Sequence, residues 1–333
     1  MKFAPSCGEA GEKSSIVDSK GKKKGIRAAA ASAVFLGLAP VFGKQALLLG
    51  FSPLAVVALR TSIAAFLFFV AMVIFKRQFF YIYPVGLVGC ILAGFLNGIG
   101  SILYYYGFSQ LDASIGHLLY SFYPLFVAFW LLLDRQPIKK LTICRLVLAA
   151  AGIVLLVSAG HKPVNLAGAA MMLGSAALYG LHLLVNQRVL YEVPAPTVTF
   201  YTLSAMAGTV MVAYLLFDLH LPLNTTPWWP ILGMAFFTFF SRLTLFMGVK
   251  HLGGLQTALL GLGELLVTVL LAQIWLGERL SVVQWVGASL LGISLFLVGF
   301  DHYTSQKRHA TGWLAWLNAP RIQPTDLPWQ SPN

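Results

Sequence analysis

The chain has 333 residues, of which 58% are hydrophobic and only 10% charged, and its formal net charge is +12. Soluble chains carry about 25% charged residues, so composition excludes a soluble enzyme, a disordered chain and a nucleic-acid-binding domain. What fits is an all-α integral membrane protein built from spanning helices.

Residues 1–25 form a basic tail with Lys2, Lys13, Lys20, Lys22, Lys23 and Lys24, followed by Arg27. Such a tail beside an apolar helix reads as a cytoplasmic flank attracted to anionic lipid. It is long for the n-region of a signal peptide, so the first helix is expected to stay uncleaved. Cys7, Cys90 and Cys144 show no metal-ligand spacing, and neither a metal nor a cofactor is expected.

A spanning helix needs about 20 mostly apolar residues. Ten segments meet that need: 27–50, 53–75, 84–107, 112–133, 141–159, 163–187, 194–217, 228–250, 253–275 and 281–300. Pro53, Pro84, Pro137, Pro163, Pro194, Pro222 and Pro227 punctuate them. Segment five is short in uncharged residues and is expected to begin upstream, with Arg145 snorkelling to the interface. Ten spans put both termini on one side. If that side is inner, its loops and helix ends hold Lys76, Arg77, Arg135, Lys139, Lys140, Arg145, Arg188 and Lys250, against Lys162 and Arg279 outside. The positive-inside rule then makes both termini cytoplasmic, in a bacterial inner or plasma membrane. Residues 301–333 form a cytoplasmic tail that touches the interface through Trp313 and Trp316.

The halves repeat. Gly107-Phe108-Ser109-Gln110-Leu111 matches Gly248-Val249-Lys250-His251-Leu252 at an offset of 141. Ser32 with Phe35-Leu36-Gly37-Leu38 resembles Ser175 with Leu178-Tyr179-Gly180-Leu181 at 143, and Gly152-Ile153 resembles Gly292-Ile293 at 140. The near-constant offset divides the chain into residues 26–159 and 163–300, five helices each. Five is odd, so the second half is inverted relative to the first. Inverted repeats characterise secondary transporters, whose halves open one central site to either side in turn.

Several of these stretches resemble the EamA-type family of the drug/metabolite transporter superfamily. They are Gly263-Glu264-Leu265-Leu266, Trp275-Leu276-Gly277-Glu278-Arg279-Leu280 and the Gly-rich Gly287-Ala288-Ser289-Leu290-Leu291-Gly292, with Tyr123-Pro124-Leu125 and Leu59-Arg60-Thr61 in the first half. The resemblance covers residues 26–300. Leu265 stands where the family has proline, and Leu133-Asp134-Arg135 where the first half often has Gly-Glu-Arg. The resemblance implies ten helices and transport of small metabolites, and leaves the substrate open.

Glu264 is the main candidate for a binding residue. It lies near the middle of 253–275, too deep to snorkel, where a carboxyl costs ~2.5–3.5 kcal/mol on insertion scales. It either carries a proton across or binds a substrate amine; the bland alternative is an interhelical anchor. Arg60 could pair with it or hold a carboxylate. Lys44 reads mainly as a snorkelling cation, and Arg242 as a snorkelling or structural one. His117 and His182 could relay protons, though packing is the commoner role of a helical histidine. Asn97 and Asn186 could face a cavity. Tyr104, Tyr105, Tyr106, Phe108, Tyr120, Phe122 and Tyr123 read first as an interface belt. Tyr120 and Tyr123 go deeper, and Tyr123 aligns with Glu264 in the repeat; since inverted repeats meet around the site, these two are candidate wall residues of it.

These residues point to a secondary active transporter, with a proton-coupled exporter of an amino acid or related amine as the first expectation. The alternatives are a facilitator, a carrier of sugars or nucleotide-linked sugars or of hydrophobic cations, or a non-transporting receptor or assembly subunit. The expected partners are a small-molecule substrate, lipid and protons, with no nucleic acid. Oligomeric state stays open, a homodimer included. No HExxH motif, phosphate-binding loop or intramembrane Asp pair argues for an enzyme.

Overall fold

A computed structural model describes residues 7–75, 77–111, 116, 119–136, 138–157, 165–218, 227–267, 282–297 and 312–317. Its helices are α1 (Cys7–Leu48), α2 (Pro53–Phe75), α3 (Pro84–Gln110), α4 (Tyr123–Leu133), α5 (Lys140–Val157), α6 (Leu166–Val189), α7 (Ala195–Phe217), α8 (Trp229–Leu252), α9 (Gly254–Gly261) and α10 (Val282–Phe296). Each overlaps one segment expected from the sequence. Among the described residues five helices are long and apolar enough to cross a membrane: α2, α3, α6, α7 and α8.

Local chemistry sets the boundaries. Pro53 and Pro84 open α2 and α3, and Pro124, Pro196 and Pro230 stand in the first turns of α4, α7 and α8. There a missing N–H costs nothing. Asn165 caps α6 by accepting from the Ala167 and Gly168 amides at 2.9 and 3.3 Å. One boundary differs from expectation. The helix of the first span continues upstream through the basic stretch to Cys7, because no proline follows Pro5 until Pro40.

The molecule is apolar outside and polar within. Phe66, Phe69, Ile91, Phe95, Phe129, Leu132, Val212, Leu216 and Phe236 face outward, while Asn97, Arg145, Arg188, Arg242 and Glu264 are buried. That distribution suits lipid as the surrounding solvent, where polar groups must find partners inside.

The packing repeats itself across the two halves. α1 packs on α8 as α3 packs on α6, and α2 packs on α8 as α3 packs on α7. Individual contacts also occur twice. Ser32 Oγ donates to the Ser241 carbonyl at 3.1 Å, and Ser175 Oγ donates to the Gly100 carbonyl at 2.7 Å. A Cβ on Gly248 would meet Ala29, and one on Gly107 would meet Met172. One on Gly37 would meet Val267, and one on Gly180 would meet Phe126. Every partner is related by an offset of 141 or 143, the spacings seen in the sequence.

Small residues let helices touch without a hydrophobic driving force. Two such contacts are at Gly94 and Gly98, where α3 meets α7. A Cβ at Gly94 would lie 2.5 Å from both the Ala205 Cβ and the Thr202 carbonyl oxygen of α7. Backbone cannot yield as a flexible side chain does. Gly94→Ala is therefore expected to destabilise the protein by about 1–3 kcal/mol. Gly208→Ala, whose new methyl meets nothing within 4 Å, should leave the melting curve in detergent unchanged.

Candidate functional site

The fourth helix of each half is interrupted, and both breaks fall at one place. α4 begins at Tyr123 after a turn at Ser121 and Phe122. α9 ends at Gly261, turns at Leu262 and resumes as helix over 263–267. Leu262 and Ser121 correspond at the offset of 141, as do Glu264 and Tyr123. Leu265 in place of proline has not removed the break, which lies between two glycines instead. Gly37 lets α1 lie against the resumed segment, since a Cβ there would be 3.0 Å from the Glu264 carbonyl oxygen. Tyr123 Oη reaches across to donate to the Ala258 carbonyl at 3.0 Å, and Gly261 leaves the space that this hydroxyl fills.

Around the breaks lies a cavity of about 90 Å³, lined by Arg60, Asn97, Ser101, Tyr104, Tyr105, Tyr120, Tyr123, Ser175, Tyr179, Arg242 and Glu264. At ~10–15 Å³ per water this space holds a handful of waters or one small solute. Glu264 and Arg242 are each only 8% exposed, and they interact electrostatically. The Asn97 amide lies 3.1 Å from both terminal nitrogens of Arg242. The atom facing two donors is its carbonyl oxygen, which accepts from both. Arg242 Cζ sits 5.9 Å from the Tyr179 ring centre, and Arg60 Cζ sits 5.2 Å from that of Tyr105. Such cation–π contacts hold a guanidinium in place at ~0.5–2 kcal/mol each. The Nε atoms of Arg60 and Arg242 are buried and have no hydrogen-bond partner among the described residues.

Tyrosines enclose these charges. Tyr120, Tyr123 and Tyr179 pack with ring centres 5.1–5.7 Å apart, and Tyr104 meets Tyr120 edge-on at 4.9 Å. Tyr104 also stacks on Phe108. These rings wall the cavity, so the reading as an interface belt is corrected for Tyr104, Tyr105 and Phe108.

Of the expected site residues, Glu264, Arg60, Tyr120 and Tyr123 come together. His182 does not line the cavity. Its ring stacks behind Tyr179, and its Nδ1 donates to the Ala93 carbonyl at 2.9 Å. Asn186 is likewise structural, accepting from Thr202 Oγ1 at 3.0 Å and so tying α6 to α7. His117 and the Lys44 side chain lie outside the described residues. The sequence reading passed over Arg242, Tyr179, Ser101 and Ser175 as site residues. Arg145 also departs from expectation. It does not snorkel but is fully buried, donating to Gln256 and, at 3.0 Å, to the Ser294 carbonyl.

The chain is similar to known proteins over most of its length. The model of the EamA-like transporter family matches it twice, over residues 23–158 and 166–300. It is 23% identical over 302 residues to "Uncharacterized transporter YcbK" of Bacillus subtilis (strain 168), covering 83% of this chain and 95% of that one. It also shares its fold with a protein of known crystal structure, at a TM-score of 0.64 and 18% identity, over 84% of this chain and 96% of the other. The protein therefore belongs to the EamA-like transporter family, within the drug/metabolite transporter superfamily.

Proposed function

We propose that the protein is a proton-coupled secondary transporter that exports an amino acid or a closely related amine. It works by alternating access between two inverted five-helix halves, residues 26–159 and 163–300, with both termini on the cytoplasmic side of a bacterial inner membrane. The carrying observation is the cavity that gathers Arg60, Arg242 and Glu264 inside a tyrosine box. The two guanidiniums suit a substrate carboxylate, which planar N–H forks can grip in pairs. Glu264 suits the amine, or a proton when no amine is bound. A purely cationic substrate fits less well, because two fixed positive charges would repel it. The duplicated contacts and the paired helix breaks support the repeat, since transporters bind substrate where discontinuous helices meet. The start of the apolar part of α1 meets the end of α8 at Gly25 and His251, and residues 312–317 meet the end of α4. That grouping supports a common side for both termini.

Proteoliposomes holding an interior pH dye test this reading. On adding amino acids, wild-type protein should move protons only when its substrate is present. Glu264→Gln should lose that proton movement almost completely. Labelled amino-acid uptake that survives Glu264→Gln, without proton movement in either protein, would leave a facilitator and reduce Glu264 to an anchor.

A further inference from the structure

A second concave site lies away from the cavity, where the cation-rich start of the α1 span meets the end of α8. It is a groove of about 470 Å³ lined by Lys23, Lys24, Arg27, Ala28, Thr244 and Met247. Small residues create it. A Cβ at Gly25 would lie 2.8 Å from both the His251 Cβ and the Leu252 side chain, so its absence lets α1 lie close against α8. Ala28 then leaves a recess beside Met247. The rim is strongly positive. Lys23, Lys24 and Arg27 are exposed, and none makes an ion pair among the described residues. Lys24 also acts electrostatically on Lys250 and His251. The one acidic group described as facing this cluster is Glu192, which acts on Lys250.

Like charges brought this close repel unless an anion joins them. The floor of the groove is apolar, and its depth is that of a headgroup region, since the apolar run of α1 begins just after Arg27. A soluble anion has no use for the apolar floor, whereas a phospholipid uses both parts. We propose that this groove binds an anionic phospholipid, with the phosphate among Lys23, Lys24 and Arg27 and an acyl chain against Ala28 and Met247. The lipid bridges α1 to α8, the helix that carries Arg242.

The test is lipid retention by the full-length protein in native mass spectrometry, titrating phosphatidylglycerol into phosphatidylcholine-containing micelles. The wild type should retain phosphatidylglycerol in preference to phosphatidylcholine. Each surface cation contributes about a fivefold factor to anionic-lipid affinity. Lys23→Gln/Lys24→Gln/Arg27→Gln should therefore weaken binding roughly a hundredfold. Arg77→Gln/Arg135→Gln/Lys140→Gln removes equal charge elsewhere and should change it little. Met247→Trp fills the floor without altering charge and should also weaken binding, which keeps the test decisive if the triple variant folds poorly. Equal losses in both triple variants, with no effect of Met247→Trp, would reduce the interaction to diffuse attraction and overturn the site. Displacement of the lipid by millimolar inorganic phosphate would also overturn it, making the ligand a soluble anion.

Discussion

Arg242→Leu is expected to weaken substrate binding at least about thirtyfold while leaving the protein folded. Leucine keeps most of the apolar volume but removes the guanidinium that Asn97 holds with its carbonyl at 3.1 Å and that Tyr179 supports through its ring face. Losing one partner of a buried, hydrogen-bonded charge pair costs about 2–5 kcal/mol, or roughly thirty- to several-thousand-fold in affinity. Arg242→Lys should restore little, because an ammonium is a point charge and cannot present a planar fork to a carboxylate. Asn97→Ala should give a smaller loss, since it frees the guanidinium without removing it. Binding is best measured directly, by calorimetry with the amino acid that drives proton movement in liposomes. Glu264→Gln offers the contrast. It should keep the carboxylate contact and lose the coupling, so the two variants fail in different assays. An Arg242→Leu protein that binds as tightly as wild type would remove the basis for a carboxylate-bearing substrate.

Much of this architecture can be read in the chain because a bilayer leaves few choices. A span must be long and apolar, and a charge inside it is costly. Glu264 and Arg60 therefore stand out without any structure. Matching stretches were legible at Ser32, Ser175, Gly107 and Gly248, and these same positions make matching contacts. The serines tie equivalent helices, and the glycines let equivalent helices touch. Arg242 was hidden by its distance along the helix, which suggested an inner interface. Its depth is set by how α8 packs against α1, and a linear sequence does not display that. Tyr104 and Tyr105 near a helix end look like any membrane-interface aromatics, and only the neighbouring helices turn them into a cavity wall. His182 takes the commoner role of a helical histidine, with its Nδ1 committed to the Ala93 carbonyl and its ring packed on Tyr179. Arg145 was misread because its partners, Gln256 and Ser294, are remote in sequence.

Asp134→Ala is expected to cost about 3–5 kcal/mol of stability, the range for breaking a buried ion pair from one side. Asp134 follows α4 and pairs with Arg188 in the last turn of α6, and both side chains are 0% exposed. Gln136 Nε2 also donates to Asp134 at 2.7 Å, and the Leu314 amide donates to it at 3.3 Å. One carboxylate thus joins two helix ends to the turn at 312–317. That turn depends on Gly312, which has φ +108° and sits where a Cβ would fall 2.2 Å from Asp134 Oδ1. It buries Leu314 and Leu317 fully, Leu317 beside Gly89 of α3. The C-terminal segment is therefore a packed element here and not only the interface contact expected of Trp313 and Trp316, which remain about half exposed. Removing the carboxylate takes from the buried Arg188 its Asp134 partner, and from the turn the acceptor that fixes it. Two observations should follow together in Asp134→Ala, namely a lower melting temperature in detergent and faster proteolysis within residues 312–317. Asp134→Leu combined with Arg188→Leu should melt above the single variant, because an apolar pair leaves no charge unpaired. If the single variant melts and digests like wild type, the pair contributes nothing to stability and the turn is held by Leu314 and Leu317 alone.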